Sequence, residues 1–315
     1  MGKRGDPVVS VLMCPGQGAQ RVGMGRDLAQ RFPAAHETFA AIDDALGVAL
    51  SRLMWQGPEE ELTRTHNAQP AILAHSAAVW AVVKQKAGEI GAAAGHSLGE
   101  YSAHVAAGTL SPTAAARLVR RRGELMLAAG DARPGAMAAV LGLDTEQVDQ
   151  ACNEASGRDG VAVAANLNAP DQTVISGDPV AVGRAGDGCK ARGAKRVIPL
   201  KVSGAFHSPL MAPAVDGLHD ALTGVTFADP AFPVIANASG EAVRSGTDAK
   251  RLLVDQLTAP VRWVACMHGA AAFVPGARFL EIGPGNVLAG LLKRIVPGAA
   301  AVTLGTAAEV EAFLR

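Results

Sequence analysis

Charge is sparse in this 315-residue chain and neither sign prevails. Charged residues make up 18%, and 29 Lys and Arg balance 29 Asp and Glu. A neutral chain lacks the electrostatic footprint that a phosphate backbone demands, which excludes nucleic acid as the main partner. Cysteine is equally sparse. Cys14, Cys152, Cys189 and Cys266 lie far apart with no C-x-x-C spacing, so neither a zinc site nor a disulfide framework is indicated. They read as free thiols of a reducing cytoplasm. No apolar run approaches the length of a membrane span. The run Val8–Met13, preceded by Lys3 and Arg4, is too short for a signal-peptide core and lacks a small-residue cleavage site. The residues before Val8 are expected to be disordered. Internal repeats and low-complexity tracts are also missing. What remains is 49% hydrophobic, enough for an ample core in one large domain or in a domain that carries an insertion.

Glycine is plentiful, and one pair of glycines matters most. Gly95-His96-Ser97-Leu98-Gly99 fits G-x-S-x-G, the nucleophile elbow, with a helical segment after it. Glycines on either side let a serine occupy a tight strand-to-helix turn. The turn pushes the hydroxyl outward and aims the free N–H groups of the new helix at any negative charge forming beside it. Taken alone, the pattern fits a nucleophile or an ordinary tight turn.

The chain on either side supplies a frame. Val8–Met13 reads as a buried strand stopped by Pro15-Gly16-Gln17-Gly18, which has neither the Rossmann spacing nor the Gly-Lys-Ser/Thr of a phosphate loop. Residues 26–90 read as mostly helical, with Asn67-Ala68-Gln69-Pro70-Ala71 opening a long helix and Pro70 in its first turn. Ser111-Pro112 caps the next helix, expected to end near Ala129 with Gly130 beyond. Strand Ala136–Leu143, helix Thr145–Ala155, strands Val161–Asn166 and Gln172–Ser176, helix Pro179–Arg192 and strand Arg196–Val202 follow. That βαββαβ order is the ferredoxin-like arrangement. Phe279–Ile282 reads as a late strand, and Asn286–Ile295 as a helix after the sharp Gly283-Pro284-Gly285 turn.

Two residues stand out chemically. On the helix after Ser111, Arg122 falls near the centre of an apolar stripe of Ala115, Leu118, Val119, Leu125, Met126 and Ala129. A guanidinium there needs either an internal salt bridge or a ligand's carboxylate. His207 lies in a loop just after a strand and follows Ser97 in the chain, the order that elbow enzymes use.

Together these segments resemble the malonyl-CoA:acyl carrier protein transacylases and the related acyltransferase domains of polyketide synthases. The motifs run in family order: PGQGAQ at 15–20, NAQPA at 67–71, GHSLGEYSA at 95–103 and RGELM at 122–126. NAPDQTVISG at 168–177, GAFHSPLM at 204–211, QLTAPVRW at 256–263 and EIGPGNVLAGLLKRI at 281–295 complete the set. The resemblance implies an α/β fold with an α/β-hydrolase-like large subdomain (1–133 and 204–315) and an inserted ferredoxin-like small subdomain (134–203).

It also implies roles. Ser97 would be the nucleophile and His207 its general base. The main-chain carbonyl of Gln256 would orient the imidazole, and the N–H groups of Gln17 and Leu98 would form the oxyanion hole. Arg122 would hold the malonyl carboxylate, Gln69 and Asn168 would line the cleft, and Phe206 would crowd an α-methyl branch. The implied reaction is ping-pong transfer of malonyl from malonyl-CoA to a carrier-protein thiol, by a cytoplasmic monomer with no bound cofactor. A chain without attached synthase domains leans toward fatty-acid synthesis, with a free-standing polyketide acyltransferase as the alternative. The basic cluster Lys190, Arg192, Lys195 and Arg196 either steers an acidic carrier or is a solvated helix end. A thioesterase-like acyl hydrolase and a non-catalytic carrier-binding module are the competing classes; an intact Ser97, His207 and Arg122 speaks against the second.

Overall fold

The strand Ser10–Cys14 (β1) is buried along its whole length, as a Ser-Val-Leu-Met-Cys run without polar alternation requires when both faces of a parallel sheet are covered. The computed structural model describes residues 9–158 and 160–315. Val8, expected to open this strand, and the residues before it, expected to be disordered, lie outside the described residues.

Five helices follow: Arg26–Arg31 (α1), Pro33–Leu46 (α2), Leu50–Gln56 (α3), Glu59–Thr63 (α4) and Thr65–Val83 (α5). Helix α5 begins two residues earlier than Asn67, so Pro70 sits in its second turn rather than its first. Proline there leaves the His66 carbonyl without its helical donor. Arg120 Nη1 supplies one instead, at 3.2 Å. Strand Ile90–Gly95 (β2), helix Gly99–Ala106 (α6) and helix Pro112–Ala132 (α7) come next. Ser111 Oγ caps α7 by accepting the Ala114 N–H at 3.2 Å. The helix runs through Gly130 instead of stopping before it. A Cβ at Gly130 would lie 2.0 Å from the Ser203 carbonyl oxygen, so this glycine serves a close approach, not a helix end.

The second unit is continuous: strand Ala136–Leu141 (β3), helix Thr145–Ala155 (α8), strands Ala162–Ala169 (β4) and Gln172–Gly177 (β5), helix Pro179–Ala191 (α9) and strand Arg196–Pro199 (β6). Its sheet is antiparallel in the order β4-β5-β3-β6, and α8 and α9 pack on it through Val148, Cys152, Val182 and Cys189. That is the ferredoxin-like order read from the sequence. Strand β4 runs to Ala169, three residues beyond the expectation, because bulges between Ala164 and Asn166 and between Leu167 and Ala169 reset its pairing. It also reaches out of its sheet: Leu167 N–H donates to Val261 O at 2.9 Å, and Val261 N–H to Ala165 O at 2.8 Å.

After β6 come a 3₁₀ turn (Pro209–Ala214), helix Val215–Thr223 (α10), strands Val234–Ile235 (β7) and Ala242–Val243 (β8), and helices Gly246–Asp255 (α11) and Trp263–Phe273 (α12). Strand Arg278–Ile282 (β9), helix Val287–Ile295 (α13), strand Ala301–Leu304 (β10) and helix Ala307–Leu314 (α14) close the chain. The large sheet has the order β10-β9-β1-β2-β7-β8 and is parallel except for β8. Beta strands β1 and β2 are its central neighbours, with Cys14 paired to Gly95, so the loops leaving them emerge side by side. The crevice outside the carboxyl ends of such strands is where open α/β sheets bind ligands. Among the described residues no helix is long and apolar enough to cross a membrane, and the four cysteines are buried and unpaired.

Candidate active site

Small residues let the elbow close. Along Ala92-Ala93-Ala94-Gly95 nothing larger than a methyl projects, and a Cβ at Gly95 would fall 1.9 Å from the Gly99 carbonyl carbon. Alpha helix α6 can therefore start directly against the end of β2. Gly99 in turn lies so close to β1 that a Cβ would meet the Cys14 carbonyl oxygen at 2.1 Å. Squeezed between them, Ser97 has φ 52°, in the left-handed region that a serine rarely enters. Its N–H donates to Asn237 Oδ1 at 2.7 Å, and Asn237 Nδ2 donates back to Gly95 O at 2.8 Å. Among the described residues only one other non-glycine has a positive φ, His207 at 55°.

These two strained residues face each other. Ser97 Oγ and His207 Nε2 are 2.7 Å apart, and His207 Nδ1 is 3.0 Å from the Gln256 main-chain oxygen. A carbonyl can only accept, so Nδ1 carries the proton and Nε2 is left as the acceptor for the serine hydroxyl. His207 is 4% exposed. Burial, and then the nearby Arg122 charge, push its pKa down to about 3. The imidazole of the free enzyme is therefore neutral throughout the working range. The pH profile of kcat/KM is expected to show no acid limb at the ordinary imidazole pKa of about 6.5 and to stay flat from about pH 8 to 5.5. Halving of kcat/KM near 6.5 in initial rates would contradict this environment for His207.

Arg122 reaches the same place from α7. It is 1% exposed, and among the described residues no carboxylate lies within ion-pair distance of it. The salt-bridge alternative is thus set aside. Neutral amides hold it: Nη1 donates to Gln69 Oε1 at 2.8 Å and Nη2 to Gln256 Oε1 at 2.9 Å. Nη2 also lies 3.2 Å from Ser97 Oγ, and Nε has no hydrogen-bond partner among the described residues. Its guanidinium carbon also lies 5.7 Å from the centroid of the Tyr101 ring. A buried guanidinium with no carboxylate in direct contact is under-compensated, and it will favour an anionic ligand beside the serine.

Gln17 follows β1. A Cβ at Gly16 would stand 2.4 Å from His96 O, so the absence of one lets this loop lie on the elbow. The backbone N–H groups of Gln17 and Leu98 have no acceptor among the described residues, and both residues border a cavity of about 330 Å³ with Ser97, His207, Arg122 and Phe206. Two unspent N–H donors next to a serine–histidine pair suit a developing oxyanion.

Two sequence expectations need correcting. Gln69 does not line this cavity; it is 1% exposed and stands behind Arg122, with its Nε2 on Met126 Sδ at 3.4 Å. Asn168 does not line it either. The bulges of β4 turn Asn168 onto His96, Oδ1 to Nε2 at 2.7 Å, beside an adjoining cavity bounded by Gln172, Val287 and Leu291. Asn166 takes the place on the Ser97 cavity wall. Sequence reasoning also missed Asn237, which nothing near the short β7 strand advertises. It missed Glu100 as well, a carboxylate in the first turn of the elbow helix, all eight residues of which the structure buries. Of the basic cluster, Lys190 pairs with Asp187 and Arg192 with Glu154, while Lys195 and Arg196 have no ion-pair partner among the described residues.

Comparison with known proteins bears on the family and the fold. The profile of the acyl transferase domain family matches residues 11–309. The malonyl CoA-acyl carrier protein transacylase of Escherichia coli K12 is 45% identical over 304 residues, covering 96% of this chain and 97% of that one. The transacylase of the same name from Bacillus subtilis is 45% identical over 281 residues, 89% of this chain and 88% of that one. Among solved structures, a malonyl-transacylase in complex with its type II PKS acyl-carrier protein superposes with a TM-score of 0.91 at 45% identity, covering 97% of this chain and 99% of that one. The malonyl-CoA:acyl carrier protein transacylase of Xanthomonas oryzae superposes at 0.92 with 42% identity and 97% of both chains covered.

Proposed function

The chain belongs to the acyl transferase domain family and, within it, to the malonyl-CoA:acyl carrier protein transacylases; on that premise we propose how its residues carry the transfer. The protein moves a malonyl group from malonyl-CoA to the phosphopantetheine thiol of an acyl carrier protein, serving fatty-acid or polyketide synthesis. The observation that carries the residue assignment is a single one. Ser97 Oγ lies 2.7 Å from a neutral histidine nitrogen and 3.2 Å from a buried, unpaired guanidinium.

The malonyl carboxylate docks on Arg122, which brings the thioester carbonyl beside Ser97. His207 Nε2 takes the hydroxyl proton as Oγ attacks, with Nδ1–H held on the Gln256 carbonyl. This is a dyad with a main-chain carbonyl in the third role, where the triad template has an aspartate. The N–H groups of Gln17 and Leu98 receive the oxyanion. The tetrahedral intermediate collapses, His207 returns the proton to the departing CoA sulfur, and a malonyl-serine ester remains. The carrier thiol then gives its proton to His207, attacks the ester and leaves acylated, restoring Ser97. Each step uses the protein's own groups and no bound cofactor.

An acetyl group would leave Arg122 buried without a counter-charge, so the arginine selects as well as binds. Phe206, on the cavity wall, disfavours an α-methyl branch by about 1–3 kcal/mol. Lys195 and Arg196 offer positive charge to an acidic carrier. We divide the two units at 133/134 and 203/204, with the cleft between them, and place the protein in the cytoplasm, where four free thiols stay reduced.

Intact mass measured after mixing with malonyl-CoA tests the reading. One malonyl group is expected on the wild type, none on Ser97→Ala, and loss of the adduct once holo carrier protein is added. Parallel samples with acetyl-CoA and methylmalonyl-CoA are expected to show little adduct. Steady release of free malonate without a carrier would make the protein a hydrolase instead.

A further inference from the structure

Ser97, His207 and Arg122 come from three separate elements, yet the groups that hold them converge on one carboxylate oxygen. Glu100 Oε2 accepts from Gln256 Nε2 at 2.7 Å and from the Asn237 backbone N–H at 3.0 Å. Gln256 turns its Oε1 to Arg122 and its main-chain oxygen to His207, and its Nε2 also donates to Ser97 O at 3.0 Å. Asn237 takes the Ser97 N–H. Glu100 itself is fully buried in the first turn of α6, and it makes no hydrogen bond to Ser97 Oγ, His207 or Arg122.

A carboxylate in a dry interior is destabilising unless something requires it there. Glu100 is under-satisfied as well, since Oε1 has no hydrogen-bond partner among the described residues. Burial raises its pKa to about 7, against the pull of the two N–H donors and Arg122. A proton added there belongs on the unpartnered Oε1, which leaves Oε2 accepting from Gln256 and Asn237 in either state. What the site uses is therefore the position of one acceptor oxygen. A flipped Gln256 amide would set its oxygen against Glu100 and Ser97 O, and its NH₂ against Arg122, so Glu100 helps to lock the orientation that holds the guanidinium.

We propose that Glu100 is the positioning residue of this site: through Gln256 and Asn237 it sets the Arg122 fork and the Ser97 turn, and with them the preference for a carboxylated acyl group. This rests on the malonyl-transfer reading above. Glu100→Asp keeps the charge but withdraws the oxygen by about 1.5 Å, whereas Glu100→Gln drops the charge and keeps an oxygen in place. Acylation of Ser97 by malonyl-CoA and by acetyl-CoA is compared in single turnovers, with thermal unfolding recorded for each variant.

Glu100→Asp is expected to slow malonylation by about tenfold or more and to lower the malonyl-to-acetyl ratio several-fold, because misplacements of about 1 Å carry penalties of this size. Glu100→Gln is expected to recover the rate to within about threefold of wild type, with the wild-type ratio. The proposal is overturned by a Glu100→Asp protein with wild-type rate and ratio, by equal slowing of both acyl groups, or by a Glu100→Gln variant as impaired as the aspartate. Should Glu100→Asp not fold, Gln256→Met cuts the same link while keeping the main-chain carbonyl. It must lower the malonyl preference, and an unchanged preference rejects the proposal. A wild-type protein that forms no malonyl-serine would fail at an earlier point, the transfer reading itself.

Discussion

Replacing His207 by alanine is expected to slow malonyl transfer by about 10,000-fold or more, with the residual adduct still on Ser97. The size follows from the environment. Among the described residues Nε2 is the only basic atom at hydrogen-bond distance from Ser97 Oγ, and the other polar contact of that oxygen is the cationic Arg122. With the imidazole gone, the serine proton has no acceptor, and the Arg122 charge opposes any cationic replacement. The N–H groups of Gln17 and Leu98 remain, so a residual rate above that in water should survive. Single-turnover acylation by malonyl-CoA, read by mass, separates this loss from any defect in carrier docking. A drop of only about tenfold would mean that another group or a water takes the proton, and the dyad assignment would fail.

Arg122→Ala carries the second large effect, and it acts on choice more than on chemistry. Truncating one partner of a buried charge pair costs about 2–5 kcal/mol, so kcat/KM for malonyl-CoA should fall on the order of 1,000-fold. The reaction of acetyl-CoA should not fall with it, because a neutral acyl group gains nothing from the guanidinium. The variant should therefore lose or reverse the preference for malonyl. Arg122→Lys should not restore it: the present fork serves Gln69 and Gln256 through two different nitrogens, a geometry that a single ammonium does not reproduce. The check is a pair of kcat/KM values per variant, one for each acyl-CoA. Equal losses for the two substrates would mean that Arg122 supports the fold and does not read the carboxylate.

How much of this was legible beforehand depended on how local each signal is. The elbow is written in five consecutive residues, and the buried arginine shows as a break in an apolar stripe, so both can be read from the chain. The βαββαβ unit is legible for the same reason, since its elements are contiguous and joined by short loops. The large sheet is not. Its β1–β9 pairing joins residues far apart in sequence, and β7 and β8 are two residues each, too short to leave a periodic pattern. The resemblance points to Asn168 for the cleft, whereas in the bulged β4 Asn166 lines it and Asn168 bonds His96, and bulges have no composition signature here. Pro70 stands in the second turn and not the first because the His66 carbonyl it leaves free has a distant donor, Arg120, which helix-start rules do not anticipate. Glu100 and Asn237 act by contacts across more than 130 positions, and spacing rules are silent about those.

The oxygen that holds His207 belongs to the peptide chain, not to a side chain. No codon specifies it, because any residue at position 256 would bring a carbonyl of its own. The side chain at the same position contacts Arg122 and Glu100. Heredity can therefore alter which acyl group the protein accepts through position 256 without deleting the partner of its base. A library randomised at this one codon would explore substrate preference on a background of conserved acid–base geometry, a separation that an aspartate in the third place would not permit.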